Sequence, residues 1–161
     1  MKIITISREF GSGGRELGKR LADALGIAYF DREIIEEIAK KTSLDAEYIE
    51  RTLDAGISAG AFPITYSRTF SLPHSVNTTA SLLAQQHKIV HSLAARGDCV
   101  IVGRCANNIL TDHALKVFIY APFEDRVQTV MKRLDREEKS ARKLVKRMDK
   151  ERRAYFEFFT D

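Results

Sequence analysis

The stretch KIITISREFGSGGRE, residues 2–16, decides the fold. Lys2 to Ser7 is a short, β-branched, nearly continuous apolar run, the pattern of a strand buried on both faces. It runs straight into Arg8-Glu9-Phe10-Gly11-Ser12-Gly13-Gly14, a turn with three glycines in four positions. Leu17, Leu21 and Leu25 follow at four-residue spacing, predicting a helix with Gly26 as its C-cap. Strand, glycine loop and helix in this order let successive backbone N–H groups point into one concavity at a helix N-terminus. Gly11 to Arg15 therefore suit a polyphosphate, although a ligand-free strand–helix turn carries the same glycines.

Outward from this unit, Ile27 to Phe30 reads as a second strand, and Asp31 opens a helix carrying Ile34, Ile35 and Ile38. Another helix is expected from about Leu44 to Leu53. Residues Gly56 to Thr79 lose all periodicity and gather Gly, Pro, Ser and Thr, predicting a long loop that is mobile until a ligand orders it. A helix is expected from about Ala80 to Ala95, closed by Gly97. CVIV (Cys99–Val102) reads as a buried strand ending at Gly103-Arg104, and KVFIY (Lys116–Tyr120) as a further strand halted by Pro122. Charged helix then continues to the end. Alternation of strands with helices predicts an α/β domain, a parallel β-sheet flanked by helices and joined by right-handed crossovers.

The chain has 161 residues, 44% hydrophobic and 30% charged, which excludes global disorder and predicts one domain with a sizeable core. No stretch approaches the ~20 apolar residues of a membrane span. Met1-Lys2-Ile3 leads directly into a strand rather than a secretory leader, and two cysteines are too few for a disulfide scaffold, so a cytoplasmic protein with reduced thiols is expected. The net charge is +4, but residues 132–153 hold 11 basic and 5 acidic side chains, leaving the remainder net negative. That basic segment suits a solvated helix face, a nucleic-acid surface or a grip on phosphates. Its interspersed acids make nucleic acid an unlikely partner.

Three further positions fall where ligands gather, at the carboxyl ends of parallel strands. Arg104 follows one strand and can grip a phosphate bidentately or form a surface ion pair. Asp31 and Arg32 follow another, and Asp31 is equally an N-cap. Cys105 lies beside Arg104 at the same crevice. His87 and His91 share a helix face at i and i+4 without a third ligand close in sequence, which favours plain surface histidines. Against the phosphate-loop pattern GxxxxGK[ST], alignment on Gly14 puts Glu9 at the first glycine, Arg15 at the lysine and Glu16 at the hydroxyl residue. A literal Gly13-x4-Gly18-Lys19 ends in Arg20 inside the expected helix and is rejected.

Together, ITISREFGSGGRELGKRLADALGIAYFDREII and VIVGRCANNILTDHALKVFIYAPFEDRVQTVMKR resemble the cytidylate kinase-like family of P-loop nucleoside monophosphate kinases, over roughly residues 1–40 and 80–159. The resemblance implies a P-loop NTPase-type sheet, which in the family usually extends by one more strand and helix than this chain shows. It implies that Gly11, Ser12, Gly13, Gly14, Arg15 and Glu16 hold the donor phosphates of ATP with Mg2+. Asp31, Arg32 and Arg104 would face a nucleoside monophosphate such as CMP. Residues 43–79 would form the monophosphate-binding insertion of a single domain, residues 1–161. Residues 132–153 would form the lid, with Arg133 and Arg147 joining Arg15 in catalysis. Glu16 departs from the family where a hydroxyl reaches the metal, and Cys105 departs where bacterial cytidylate kinases have the Asp of GRD. Cys105 argues against cytosine as the base, while Glu9, Glu16 and the early C-terminus favour, as an alternative, a catalytically weak nucleotide-binding or regulatory protein on the same fold.

Overall fold

In the computed structural model, which describes residues 2–58, 74–112 and 114–160, four parallel strands form one sheet flanked by helices. The strands are β1 (Ile3–Arg8), β2 (Ala28–Phe30), β3 (Cys99–Val102) and β4 (Ala114–Ile119), in spatial order β2-β3-β1-β4. Ile3 pairs with Cys99 on one side and Ala114 on the other, and the register runs on to Ile6 opposite Val102 and Arg8 opposite Ile119. The P-loop-type α/β architecture expected from the sequence is present.

The helices are α1 (Gly14–Leu25), α2 (Glu33–Thr42), α3 (Ala46–Ser58), α4 (His74–Ala94), the single turn α5 (Ala106–Ile109), α6 (Phe123–Leu134) and α7 (Glu138–Thr160). Both α3 and α4 reach further into 56–79 than the loss of periodicity suggested. The rest of that stretch, with the mobility expected of it, lies outside the described residues. The short α5 escaped the sequence reading altogether.

Successive strand residues face opposite layers, as a pleat requires. Ile3, Cys99 and Ile101 pack with Ile34, Ile35 and Ile38 of α2, Ile49 and Leu53 of α3, and Ile89, Val90 and Leu93 of α4. Ile4, Ile6, Val100 and Val102 pack with Ala22 of α1. Full burial of each isoleucine of α2 contributes roughly 1.5–3 kcal/mol.

The face that α1 buries is not the leucine stripe. Leu17 and Leu25 are nearly half exposed, whereas Gly14, Gly18 and Ala22 are buried. A Cβ on Gly18 would lie 2.8 Å from Val102 Cγ2 and 3.1 Å from Ile6 Cδ1, so the helix lies too close to the sheet for leucine. That close approach fixes the loop at its N-terminus. Gly26 caps the other end at φ 63°, as expected.

Candidate functional site

Gly11 and Gly13 adopt φ of 84° and 81°, left-handed values open to glycine at no steric cost. Gly13 is the N-cap of α1, and the first helical bond runs from Leu17 N–H to Gly13 O at 2.9 Å. The amides of Gly14, Arg15 and Glu16 are thus those a helix leaves without an intrahelical partner. A Cβ on Gly13 would meet nothing within 4 Å, so the concavity is open there. Ser12 stiffens the loop: its single hydroxyl proton is shared between Glu9 O at 2.9 Å and Ile119 O at 3.2 Å.

Four charged side chains gather at the carboxyl ends of β1, β2 and β3. Asp31 pairs with Arg15 Nε and, at 3.8 Å, with Arg8 Nη2, and accepts a hydrogen bond from Tyr29 Oη at 3.4 Å. Arg8 lies between two glycines, because a Cβ on Gly14 would come within 2.7 Å of Arg8 Cβ and one on Gly103 within 2.9 Å of Arg8 Cζ. Burial pulls the Arg8 guanidinium below its usual range, Asp31 opposes that, and Arg15 and Arg104 push it further down. Arg8 therefore shares its neighbourhood with Arg15 and Arg104, and Asp31 is the acid between Arg8 and Arg15. Burial, then Asp31, pushes the Tyr29 phenol up to about 12.

Arg104, at φ 53°, donates to Glu50 Oε1 of α3 at 2.8 Å, so the ion-pair reading of Arg104 is realised beside the crevice rather than away from it. Its carbonyl accepts from Gln86 Nε2 at 3.0 Å, and Gln86 Oε1 accepts from Tyr155 Oη at 2.8 Å, a buried relay that fixes the turn after β3. Asp31 does not cap α2. The N-cap is Arg32, without a side-chain cap, and Arg32 is exposed.

Glu16 turns along α1 to Arg20 Nε at 2.7 Å and so does not point into the loop. Cys105 is buried, not at the crevice: its Sγ lies 3.8 Å from Tyr155 O, and burial pushes its thiol up to about 12. His87 and His91 are exposed neighbours on α4, and no group of three potential metal-ligating side chains occurs among the described residues. Arg133 stacks over Phe10, with Cζ 5.3 Å from the ring centroid. Arg147 pairs with Glu151 at 3.7 Å and lines an open cleft of about 220 Å³ with Arg136, Ser140 and Lys143.

Sequence reasoning passed over Arg8, Glu50 and Arg126. Arg8 had a readable signal, since it ends β1 as Arg104 follows β3. Glu50 and Arg126 had none, because their partners lie 54 and 23 residues away.

A parallel sheet with a glycine loop entering α1, and arginines at the carboxyl ends of its strands, defines a nucleotide kinase-like protein. The chain belongs to the cytidylate kinase-like family, whose model matches residues 3–161. Among solved structures it is similar to an uncharacterized protein from Eubacterium ventriosum ATCC 27560, with 27% identity and a TM-score of 0.69, covering 98% of this chain and 77% of that one. It is also similar in fold to TT1252 from Thermus thermophilus, at 16% identity and a TM-score of 0.52, covering 87% and 76% of the two chains. No curated protein matches it significantly. Among the described residues no helix is long and apolar enough to cross a membrane.

Proposed function

We propose that the protein transfers the γ-phosphoryl group of ATP to a nucleoside monophosphate, with CMP as the first acceptor to test. The cluster of Arg15, Arg104 and Asp31 around Arg8, beside an open helix N-terminus, carries this reading. An Arg8 guanidinium repelled by Arg15 and by Arg104 is stabilised by anions, and phosphates are the anions a glycine loop accepts.

In this reading the amides of Gly13 to Glu16 and the Arg15 side chain hold the donor phosphates, and Arg8 and Arg104 orient the acceptor phosphate. An acceptor oxygen forms the new bond to Pγ, the bond from Pγ to the β-phosphate bridging oxygen breaks, and ADP leaves. Positioning and electrostatic stabilisation supply the catalysis, without a covalent intermediate. The amides of Gly13 to Glu16 and the Arg15 side chain would hold a triphosphate, and Mg2+ would enter with it. When bound, Mg2+ would neutralise phosphate charge. Arg15 bound to Asp31 would have to exchange that carboxylate for phosphate on nucleotide entry.

Glu16 favours a second reading. It faces Arg20 where family members place a hydroxyl toward the metal, which suits a nucleotide-binding regulator with weak turnover. A coupled assay of ADP release over CMP and the other monophosphates, with ATP and Mg2+, separates the two. Acceptor-dependent ADP release supports the kinase. Tight ATP binding without acceptor-dependent release supports the regulator.

A further inference from the structure

Arg126 of α6 is the most enclosed charged side chain among the described residues, 6% exposed, and apart from the Phe123 ring, 5.6 Å from its Cζ, its side chain meets groups at the entry of the glycine loop or at its fastening. Its Nε donates to Ala121 O at 3.0 Å and lies 3.2 Å from Glu9 Oε2. Its Nη1 donates to Phe10 O at 3.2 Å and to Asp149 Oδ2 at 2.5 Å. Asp149, on α7, uses its other oxygen, Oδ1, to accept from Phe10 N–H at 2.9 Å. The turn at Phe10 is thus held at its N–H by Asp149 and at its carbonyl by Arg126, two groups that also hold each other. Two residues earlier, Arg152 Nη1 donates to Arg8 O at 3.1 Å. One residue later, a Cβ on Gly11 would lie 2.8 Å from Arg126 O, so the loop is pressed against the α6 backbone. Arg133 and Arg152 both stack over the Phe10 ring, each with Cζ 5.3 Å from its centroid.

We propose that Arg126 and Asp149 are positioning residues that preset the phosphate-binding conformation of the glycine loop from the α6–α7 pair. The proposal rests on the reading of the loop as the donor-phosphate site. It assigns the departure at Glu9 a purpose: a carboxylate here completes the Arg126 contacts, where a glycine could not. It also gives the basic C-terminal helix pair a role that needs no contact with substrate. The loop amides are aimed before nucleotide arrives, so binding does not have to order them.

The chemistry of the pair makes it testable without removing bulk. Asp149 presents two acceptor oxygens to two donors, Phe10 N–H and Arg126 Nη1. In Asp149→Asn one oxygen becomes an amide donor, which must face one of those two donors. Arg126→Lys keeps the charge, but a single ammonium cannot span Ala121 O, Phe10 O, Glu9 and Asp149 together. Lys40→Ala is the control, since Lys40 of α2 pairs with Glu37 on the surface and lies outside the loop and residues 132–153.

The test is amide hydrogen exchange of residues 10–15 in the full chain, together with ATP affinity and the separate Michaelis constants for ATP and monophosphate. Loss of a charge-assisted bond predicts exchange at Phe10 faster by on the order of ten- to a hundredfold, and ATP affinity weaker by a similar factor. Exchange in β3 and the monophosphate KM should hold, and Lys40→Ala should match the parent protein. The combined variant should be little worse than the poorer single one, because the two residues act as a unit. Unchanged exchange at residues 10–15 in stably folded Asp149→Asn overturns the proposal, as does exchange that rises equally in β3 and the loop. If the parent protein binds no ATP, the donor-site reading fails, and the exchange measurement by itself then decides whether the pair sets the loop.

Discussion

The guanidinium of Arg8 occupies the volume that a side chain on Gly103 would fill. Residues at the ends of neighbouring strands thus share one space, the glycine surrendering it to the arginine. Gly103 also sits at φ 77°, where an L side chain is strained. Gly103→Ala should destabilise the fold by about 1–3 kcal/mol through that strain. It should also push Arg8 away from Asp31 and weaken phosphate binding. Urea denaturation and ATP titration of Gly103→Ala check both. In an Arg8→Ala background the steric part of the loss should shrink, leaving the backbone strain.

Arg104 separates an acceptor role from a purely structural one. Its pair with Glu50 is partly exposed, and such a pair contributes about 0–1 kcal/mol to stability. Arg104→Lys should therefore leave the melting temperature nearly unchanged. Loss of the guanidinium fork should weaken monophosphate binding by about ten- to a hundredfold while ATP binding holds. Calorimetric titration with each nucleotide reads the two affinities apart. Equal loss of both would place Arg104 at the donor side or in general folding.

Cys105 should resist alkylation in the native protein. Its thiol is buried and raised to about 12, so at pH 8 the reactive thiolate is scarce. The sign follows from linkage: a folded-state pKa raised above the ordinary 9 favours the protonated fold, fully below pH 9, with that contribution lost as pH rises toward 12. Iodoacetamide should label Cys105 slowly at pH 8 and rapidly in urea, as mass spectrometry of the tryptic peptide would show. Fast native labelling would contradict the burial.

Gly18→Ala and Leu17→Ala should reverse the usual ranking of glycine and leucine substitutions. Alanine gains about 1 kcal/mol of helix propensity over glycine. The added Cβ, however, meets Val102 and Ile6, and overpacking costs typically 1–3 kcal/mol. A net loss of up to about 2 kcal/mol is expected for Gly18→Ala, whose added Cβ would lie 2.8 Å from Val102, against less for half-exposed Leu17→Ala. Chemical denaturation of the two variants compares them directly.

Local chemistry made much of this protein readable from its sequence. An apolar β-branched run, three glycines and a helical period placed β1, the loop and α1, because each rests on contacts within a few residues. The same holds for β3 and for Gly26 as a cap. Tertiary structure decided the rest. It buried the Gly14, Gly18 and Ala22 face of α1 instead of the leucines, since packing distance to the sheet outranks hydrophobicity at that contact. It sent Glu16 to Arg20 and Cys105 into the core, and it made Asp31 a partner of Arg8 and Arg15 rather than a helix cap. Above all it joined Arg126 and Asp149 to Phe10, 116 and 139 residues away in the chain. Separations of that length leave no periodicity or spacing to read, because they are set by where strands and helices come to lie.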